Sequence, residues 1–252
     1  MRKNWMLRVR GERMSTLLLR LAAPMQSWGV SSKFNRRTSN LEPTRSGVIG
    51  LIAAAMGRGR EESLTAFSSL KFGVRIDQPG MLEKDFHMVH REGSSWLTDR
   101  YYLADAVFLV ALEGDIDFLR KIEWALGNPV YPLFLGRRSC PPTGKLCLGI
   151  RDAGMQESLR QEKWQASLWY QKRARYRKTD YLEIVRDAEN GENSYVLRDE
   201  PQNFSQLRRQ YNFRNVVREQ VPLPNDSEAA ISTEHDPMTL LEGYDVSFKG
   251  KD

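Results

Sequence analysis

The first regular pattern in the chain is an apolar run at 16–23, from Thr16 to Ala23, which predicts a buried strand. A second pattern occupies 43–57. Val48, Ile49, Leu51, Ile52, Ala55 and Met56 recur at helical spacing, Thr44 after Pro43 suits an N-cap, and Gly57 suits the C-terminal end. Leu70, Phe72, Val74 and Ile76 then alternate with Lys71, Gly73 and Arg75 up to Pro79 and Gly80, the period-two pattern of a half-buried strand. Segments 86–91 and 98–102 flank the turn-like Glu92, Gly93, Ser94 and Ser95. A projecting hairpin is therefore expected at about 81–102, its return strand running on into the apolar 103–112. Asp115 or Asp117 caps a helix carrying Phe118, Leu119, Ile122, Ala125 and Leu126, which Gly127, Asn128 and Pro129 stop. Residues 133–142 read as a strand end with a basic, proline-stopped loop, and 146–150 as a closing strand.

This order is that of an α+β, ferredoxin-like (RRM-like) βαββαβ domain with an inserted β-hairpin, expected over 15–150. Beyond Ile150 the pattern gives way to a smaller β-rich C-terminal extension, 151–252. There 181–185 and 195–197 read as two strands joined across Asn190 and Gly191, 208–218 interleaves arginines with Tyr211, Phe213, Val216 and Val217, and from Pro222 the chain is polar. Residues 1–14 stand apart as a basic N-terminal extension, with Met14 as an alternative start. That extension and Leu17 to Leu19 superficially resemble an export signal, but Arg20 interrupts the apolar run, so export is not expected. No apolar run approaches the roughly 18 residues of a membrane-spanning helix. The expectation is a cytoplasmic protein with no membrane partner.

Composition sharpens the choice of partner. The 252 residues are 40% hydrophobic, enough for a core, and 38 Lys and Arg against 32 Asp and Glu give a net charge of +6, which favours a polyanion. Cys140 and Cys147 are too few for a disulfide framework or a four-cysteine zinc site, and both read as structural. No nucleophile elbow, Walker loop or dinucleotide fingerprint occurs, so no cofactor and no metal are expected. Acid–base chemistry draws on three histidines. His87 and His90 fall on opposite faces of a strand and make no pair, and His235, between Glu234 and Asp236, reads as solvated.

What recurs is a cation beside an aromatic ring: Trp28 with Lys33, Phe34, Arg36 and Arg37; Arg91 with Trp96; Arg100 with Tyr101 and Tyr102; 173–177 around Tyr176; and 208–214 around Tyr211 and Phe213. Single-stranded RNA is held this way, with phosphates on cations and splayed bases on rings. The clusters after Ile150 read as solvated faces with core aromatics. The three before it, on loops and a hairpin at sheet edges, point to RNA. The helix at 43–57 offers an anion site if Arg45, Ser46 and the free N–H groups at its N-terminus point outward, Gly47 and Gly50 permitting close approach. The same stretch also describes a buried core helix with small residues for packing.

Four segments together resemble one family: Leu-Arg-Leu-Ala-Ala-Pro-Met-Gln-Ser-Trp-Gly at 19–29, Pro-Thr-Arg-Ser-Gly-Val-Ile-Gly-Leu-Ile-Ala-Ala-Ala at 43–55, Tyr-Leu-Ala-Asp-Ala-Val-Phe-Leu-Val-Ala-Leu at 102–112, and Pro-Leu-Phe-Leu-Gly-Arg-Arg-Ser-Cys-Pro-Pro at 132–142. They are similar to the CasD family of the RAMP superfamily, subunits of the type I-E CRISPR Cascade complex. The similarity runs in order from about Ser15 to Pro142 and fades beyond. The resemblance implies a non-catalytic subunit that clamps the 5′ handle of the crRNA and caps the backbone for antiviral DNA targeting. Its partners would be the CasC backbone subunit and the large CasA subunit, with target DNA met indirectly through the complex. Carried over by motif, Trp28, Thr44, Arg45, Ser46, Arg137, Arg138 and Ser139 would lie along the handle. Arg36 and Arg37 of the basic loop would join them, and the hairpin with His87, His90, Arg91, Arg100 and Tyr101 would be a thumb. The alternative is a metal-independent endoribonuclease that processes CRISPR repeat RNA, with His87 or His90 as general base and Tyr101 or a lysine assisting.

Overall fold

β1 (Ser15–Ala22) is covered on both faces, which is why its apolar run is unbroken. Leu17, Leu19 and Leu21 enter a core beneath α1 (Arg45–Ala55) and α3 (Ile116–Gly127). Leu18 points the other way, into a second core with residues of α4 (Met155–Gln161) and α5 (Leu168–Tyr176). All four leucines are fully buried, each contributing about 1.5–3 kcal/mol relative to exposure. The computed structural model describes residues 14–29, 36–91, 93–205 and 209–224. The expectations for the extension 1–13, for Lys33 and Phe34, for Arg208 and for the polar tail with His235 lie outside them.

The architecture is mixed α/β with mainly antiparallel sheets. Seven strands form the larger sheet in the order β10 (Tyr195–Asn203), β11 (Gln210–Pro222), β9 (Tyr181–Asp187), β4 (Lys71–Gln78), β7 (Val107–Gly114), β1, β8 (Cys147–Arg151). A smaller sheet contains the hairpin of β5 (Met81–Arg91) and β6 (Ser94–Ala104), with β2 (Met25–Gln26) and β3 (Arg36–Arg37) added to β6. A single turn, α2 (Thr65–Ser68), links α1 to β4.

Three expectations are corrected. The return strand of the hairpin does not run uninterrupted through 103–112. β6 ends at Ala104, Asp105 adopts a left-handed φ of 54°, and β7 starts at Val107 in the other sheet. Side-chain amides replace the ladder at this corner: Gln78 Nε2 donates to Asp105 O at 2.5 Å and Gln26 Nε2 to Ala106 O at 2.7 Å. Residues 133–135 form no strand but part of an irregular loop. Nor do the strands flanking Asn190 and Gly191 pair with each other. The 13-residue β11 lies between them, its first half against β10 (Leu197 opposite Arg214) and its second against β9 (Val217 opposite Arg186).

Beneath the second helical layer, Arg75 and Asp77 are completely buried and paired, Nε to Oδ1 at 2.6 Å and Nη2 to Oδ2 at 2.8 Å. Arg75 also donates to Lys163 O, while Asp77 accepts from Gln165 N. The pair is therefore hydrogen-bonded on all sides and fixes the segment entering α5.

Candidate nucleic-acid interface

One stripe of α1 is made of small residues, and it becomes the floor of a cleft. Ser46, Gly47, Gly50, Ala53 and Ala54 line a cavity of about 1170 Å³, while Val48, Ile49 and Ile52 on the other side of the helix fill the core. Thr44 is the N-cap, its Oγ1 accepting from Gly47 N at 3.2 Å. The glycines are approached by the protein itself. A Cβ on Gly47 would stand 2.8 Å from the Trp28 ring, and one on Gly50 would touch Phe204.

The outward-facing helix N-terminus is not what forms. Arg45 is buried, and its guanidinium meets Asp187 and Glu200, each at 2.8 Å. Its backbone N–H goes to Asp199 Oδ2 at 2.9 Å. Arg214 completes the cluster, with Nε 2.6 Å from Asp199 and Nη1 2.6 Å from Asp187. Burial works against the Arg214 charge, but pairing with Asp199 and Asp187 outweighs it and raises the pKa. Burial pushes the Glu200 carboxyl up against the pull of Arg45. Three carboxylates against two guanidiniums already compensate the helix dipole, so a phosphate arriving here would meet excess negative charge. Ser46, also buried, lines the cleft but carries no charge. Trp28 is likewise a core residue, 1% exposed, its Nε1 donating to Gln26 Oε1 at 3.1 Å. These placements correct the outward reading of Arg45, whereas Ser46 and Trp28, though buried, both line the cleft.

Positive charge enters the cleft from its walls. The loop that replaces the expected strand is held by Leu135 and Cys140, both buried, with Leu135 N donating to Cys140 O at 2.7 Å and Ser27 N to Leu135 O at 3.1 Å. Gly136 has φ 85°, and a Cβ there would sit 1.7 Å from Ser27 O, so the tight approach requires glycine. Between these anchors the loop presents Arg137, Arg138 and Ser139. Arg137 lies over the Tyr102 ring at 4.5 Å and donates through Nη2 to Arg37 O at 3.0 Å, whereas its Nη1 is buried without a hydrogen-bond partner. Arg100 Nε is orphaned in the same way. Arg37, Arg58, Arg60 and Arg209 also line the cleft, so its described lining contains seven arginines and no carboxylate. Burial raises the pKa of the Cys140 and Cys147 thiols and keeps both protonated.

Arg58, Arg60, Arg209 and Phe204 were not among the site residues expected from sequence, and Tyr102 was expected only as a neighbour of Arg100. A signal existed for the first two: Gly57 ends α1 with φ 73°, so the following Arg58-Gly59-Arg60 must turn back past the helix end. The structure does not bring the hairpin histidines and Tyr101 into the cleft lining. His87 Nε2 pairs with Asp85, and His90 Nδ1 meets Ser95 Oγ at 2.8 Å. Tyr101 is half-buried, with Lys84 Nζ 6.0 Å from its ring. Arg36 and Arg91 lie in β3 and β5, and their side chains fall outside what is described. Among the described residues no group of three or more His, Cys, Asp or Glu could hold a metal ion, and no helix is long and apolar enough to cross a membrane.

A family model described as CRISPR-associated protein (Cas_Cas5) matches residues 16–217. The chain is 37% identical over 165 residues to the CRISPR system Cascade subunit CasD of Escherichia coli (strain K12), covering 55% of this chain and 72% of that protein. Among solved structures, a chain of a CRISPR RNA-guided surveillance complex superposes with a TM-score of 0.69 at 30% identity, covering 83% of this chain and 91% of that one. A second, described as a Cas protein, gives a TM-score of 0.67 at 35% identity, covering 83% and 97%.

Proposed function

The chain belongs to the CRISPR-associated Cas5 family, and from that premise we propose that it is the crRNA-binding subunit of a type I-E Cascade surveillance complex, clamping the 5′ handle in the arginine-lined cleft. The observation that carries this reading is the cleft itself: seven arginines without a carboxylate, two of them with a buried guanidinium nitrogen lacking a partner. Guanidinium groups gathered without a counter-charge favour phosphate oxygens as acceptors. Arg37, Arg100, Arg137, Arg138 and Ser139 hold the backbone. Arg58, Arg60 and Arg209 extend its path, and the buried Tyr102 ring supports the Arg137 guanidinium from beneath. Arg45 and Thr44 act at one remove, by fixing α1.

In this reading β1-α1-β4-β7-α3-β8, with sheet order β4-β7-β1-β8, is a ferredoxin-like core over about 15–150, the β5–β6 hairpin is the thumb, and 151–252 is the extension. The subunit is non-catalytic and cytoplasmic. It sits against the CasC backbone and CasA, and meets target DNA through the complex. The thumb side chains, His87 and His90 included, cover RNA rather than cut it.

The test is a native gel with labelled repeat-spacer RNA in chelator, with scrambled competitor and a parallel denaturing gel. The expected result is a handle-specific shift with intact RNA. Replacing Arg137 and Arg138 by alanine should lower the slope of log affinity against log salt by about 1.4, at roughly 0.7 per lost phosphate contact. An unchanged slope would reject the site, and a discrete cut lost on His87→Ala would make the protein a nuclease.

A further inference from the structure

The sheet has a second face, and α5 carries a different kind of positive surface on it. Ala174 of α5 is buried in the core that receives Leu18, Leu109 and Ala111, whereas the cleft lies beyond the core that receives Leu17, Leu19 and Leu21. A strand held in the cleft is thus separated from α5 by the thickness of the sheet. Residues 168–178 contain five basic and no acidic side chains. At helical spacing Trp169, Lys172, Arg173 and Tyr176 share the face opposite Ala174. All four are exposed, the two rings by 52% and 91%.

An ordinary solvated helix face is laced with opposite charges, and the neighbouring arginines follow that rule: Arg151 pairs with Glu162, Arg160 with Glu219, and Arg218 with Glu42 and Glu183. Among the described residues Lys172 and Arg173 have no such partner, and Arg173 faces Arg177 one turn on. Self-repelling cations interleaved with exposed rings suit a polyanion that also has flat apolar faces.

We infer that α5 is a second nucleic-acid-binding surface whose occupant is single-stranded DNA, with phosphates on Lys172 and Arg173 and bases on Trp169 and Tyr176. A duplex would hide its bases from the rings. Apart from the Tyr176 hydroxyl and the Trp169 indole N–H, both carried on the stacking rings, the exposed face offers no neutral hydrogen-bonding group to recognise a 2′-hydroxyl, which disfavours RNA. The choice of DNA also rests on the reading of the cleft as the RNA site.

Fluorescence anisotropy of the full chain, with its cleft saturated by unlabelled handle RNA, against a labelled mixed-sequence DNA 20-mer tests this. Lys172→Ala with Arg173→Ala should weaken single-stranded DNA binding about tenfold and lower its salt slope by about 1.4. Trp169→Ala should weaken it by roughly fivefold or more. Arg137→Ala with Arg138→Ala should leave DNA binding by α5 intact while weakening the handle shift. Failure of the handle shift in the parent protein thus rejects the cleft reading alone, and the DNA titration still reports on α5. Unchanged DNA binding in the α5 variants overturns the inference. Tighter binding of duplex DNA or of single-stranded RNA to the same face overturns the assigned occupant.

Discussion

Arg45 Nη1 and Asp187 Oδ2 stand 2.8 Å apart although 142 positions separate them in the chain. The first turn of α1 is thereby tied to the C-terminal strands, and Arg45 acts as a strut of the fold. Arg45→Met should leave Glu200 without its cation and Asp187 with Arg214 alone, in a partly buried setting, and cost about 3 kcal/mol, the lower end for breaking a buried pair. Urea denaturation followed by circular dichroism measures it. A variant of parental stability that has lost handle binding would instead return Arg45 to the RNA surface.

Gly136 separates stability from binding in the opposite sense. With φ 85° and Ser27 O 1.7 Å from where a Cβ would stand, Gly136→Ala should lose at least about 2 kcal/mol and move the loop carrying Arg137. Arg137→Ala, which gives up one hydrogen bond to Arg37 O and its contact with the Tyr102 ring, should lower the urea midpoint less than Gly136→Ala does and lose RNA affinity. Equal midpoints for the two variants would show that the loop tolerates the displacement.

Acid should loosen the β9–β10 connection first. Hydrogen bonds from Arg186 and from the Glu189 N–H hold the Glu192 carboxyl at about 2, below its ordinary 4.5. The unfolded chain binds more protons in that interval, so the stabilisation from this pairing is complete above about 4.5 and is lost as pH falls toward 2. The buried Arg186 retains Glu219 at 3.1 Å when Glu192 is neutral. Glu192→Gln should therefore flatten the dependence of stability on pH between 2 and 4.5 without unfolding the protein at neutrality. Parallel curves for variant and parent would refute the assignment.

Elements whose burial is a local property were legible in the chain. The run 16–23 is apolar because both faces of β1 are covered; 70–76 was legible as a strand but not as one covered on both faces, because Gly73, Arg75 and Asp77 of its polar face lie buried beneath the second helical layer. Asp115 caps α3 by accepting from Phe118 N, which resolves the choice between Asp115 and Asp117. What depends on distant partners was not legible. Asn190 and Gly191 look like a hairpin turn, yet β11 displaces β10 from β9 through contacts that begin some twenty residues later. Pro43-Thr44-Arg45-Ser46 looks like an anion-binding helix start, but the anions it meets are the carboxylates of Asp187, Asp199 and Glu200. The loop arginines were visible as Gly136-Arg137-Arg138, whereas Arg58 and Arg60 lay just past a helix end where no aromatic neighbour drew notice.

The corner at Asp105 makes the hairpin a lever. Its two arms continue, through Pro79 and Gly80 on one side and Asp105 and Ala106 on the other, into β4 and β7, which are adjacent strands in the middle of the seven-stranded sheet and register from Lys71 opposite Glu113 to Gln78 opposite Val107. A load applied near the Gly93 turn is delivered to that paired centre and not to an edge, where strands peel one hydrogen bond at a time.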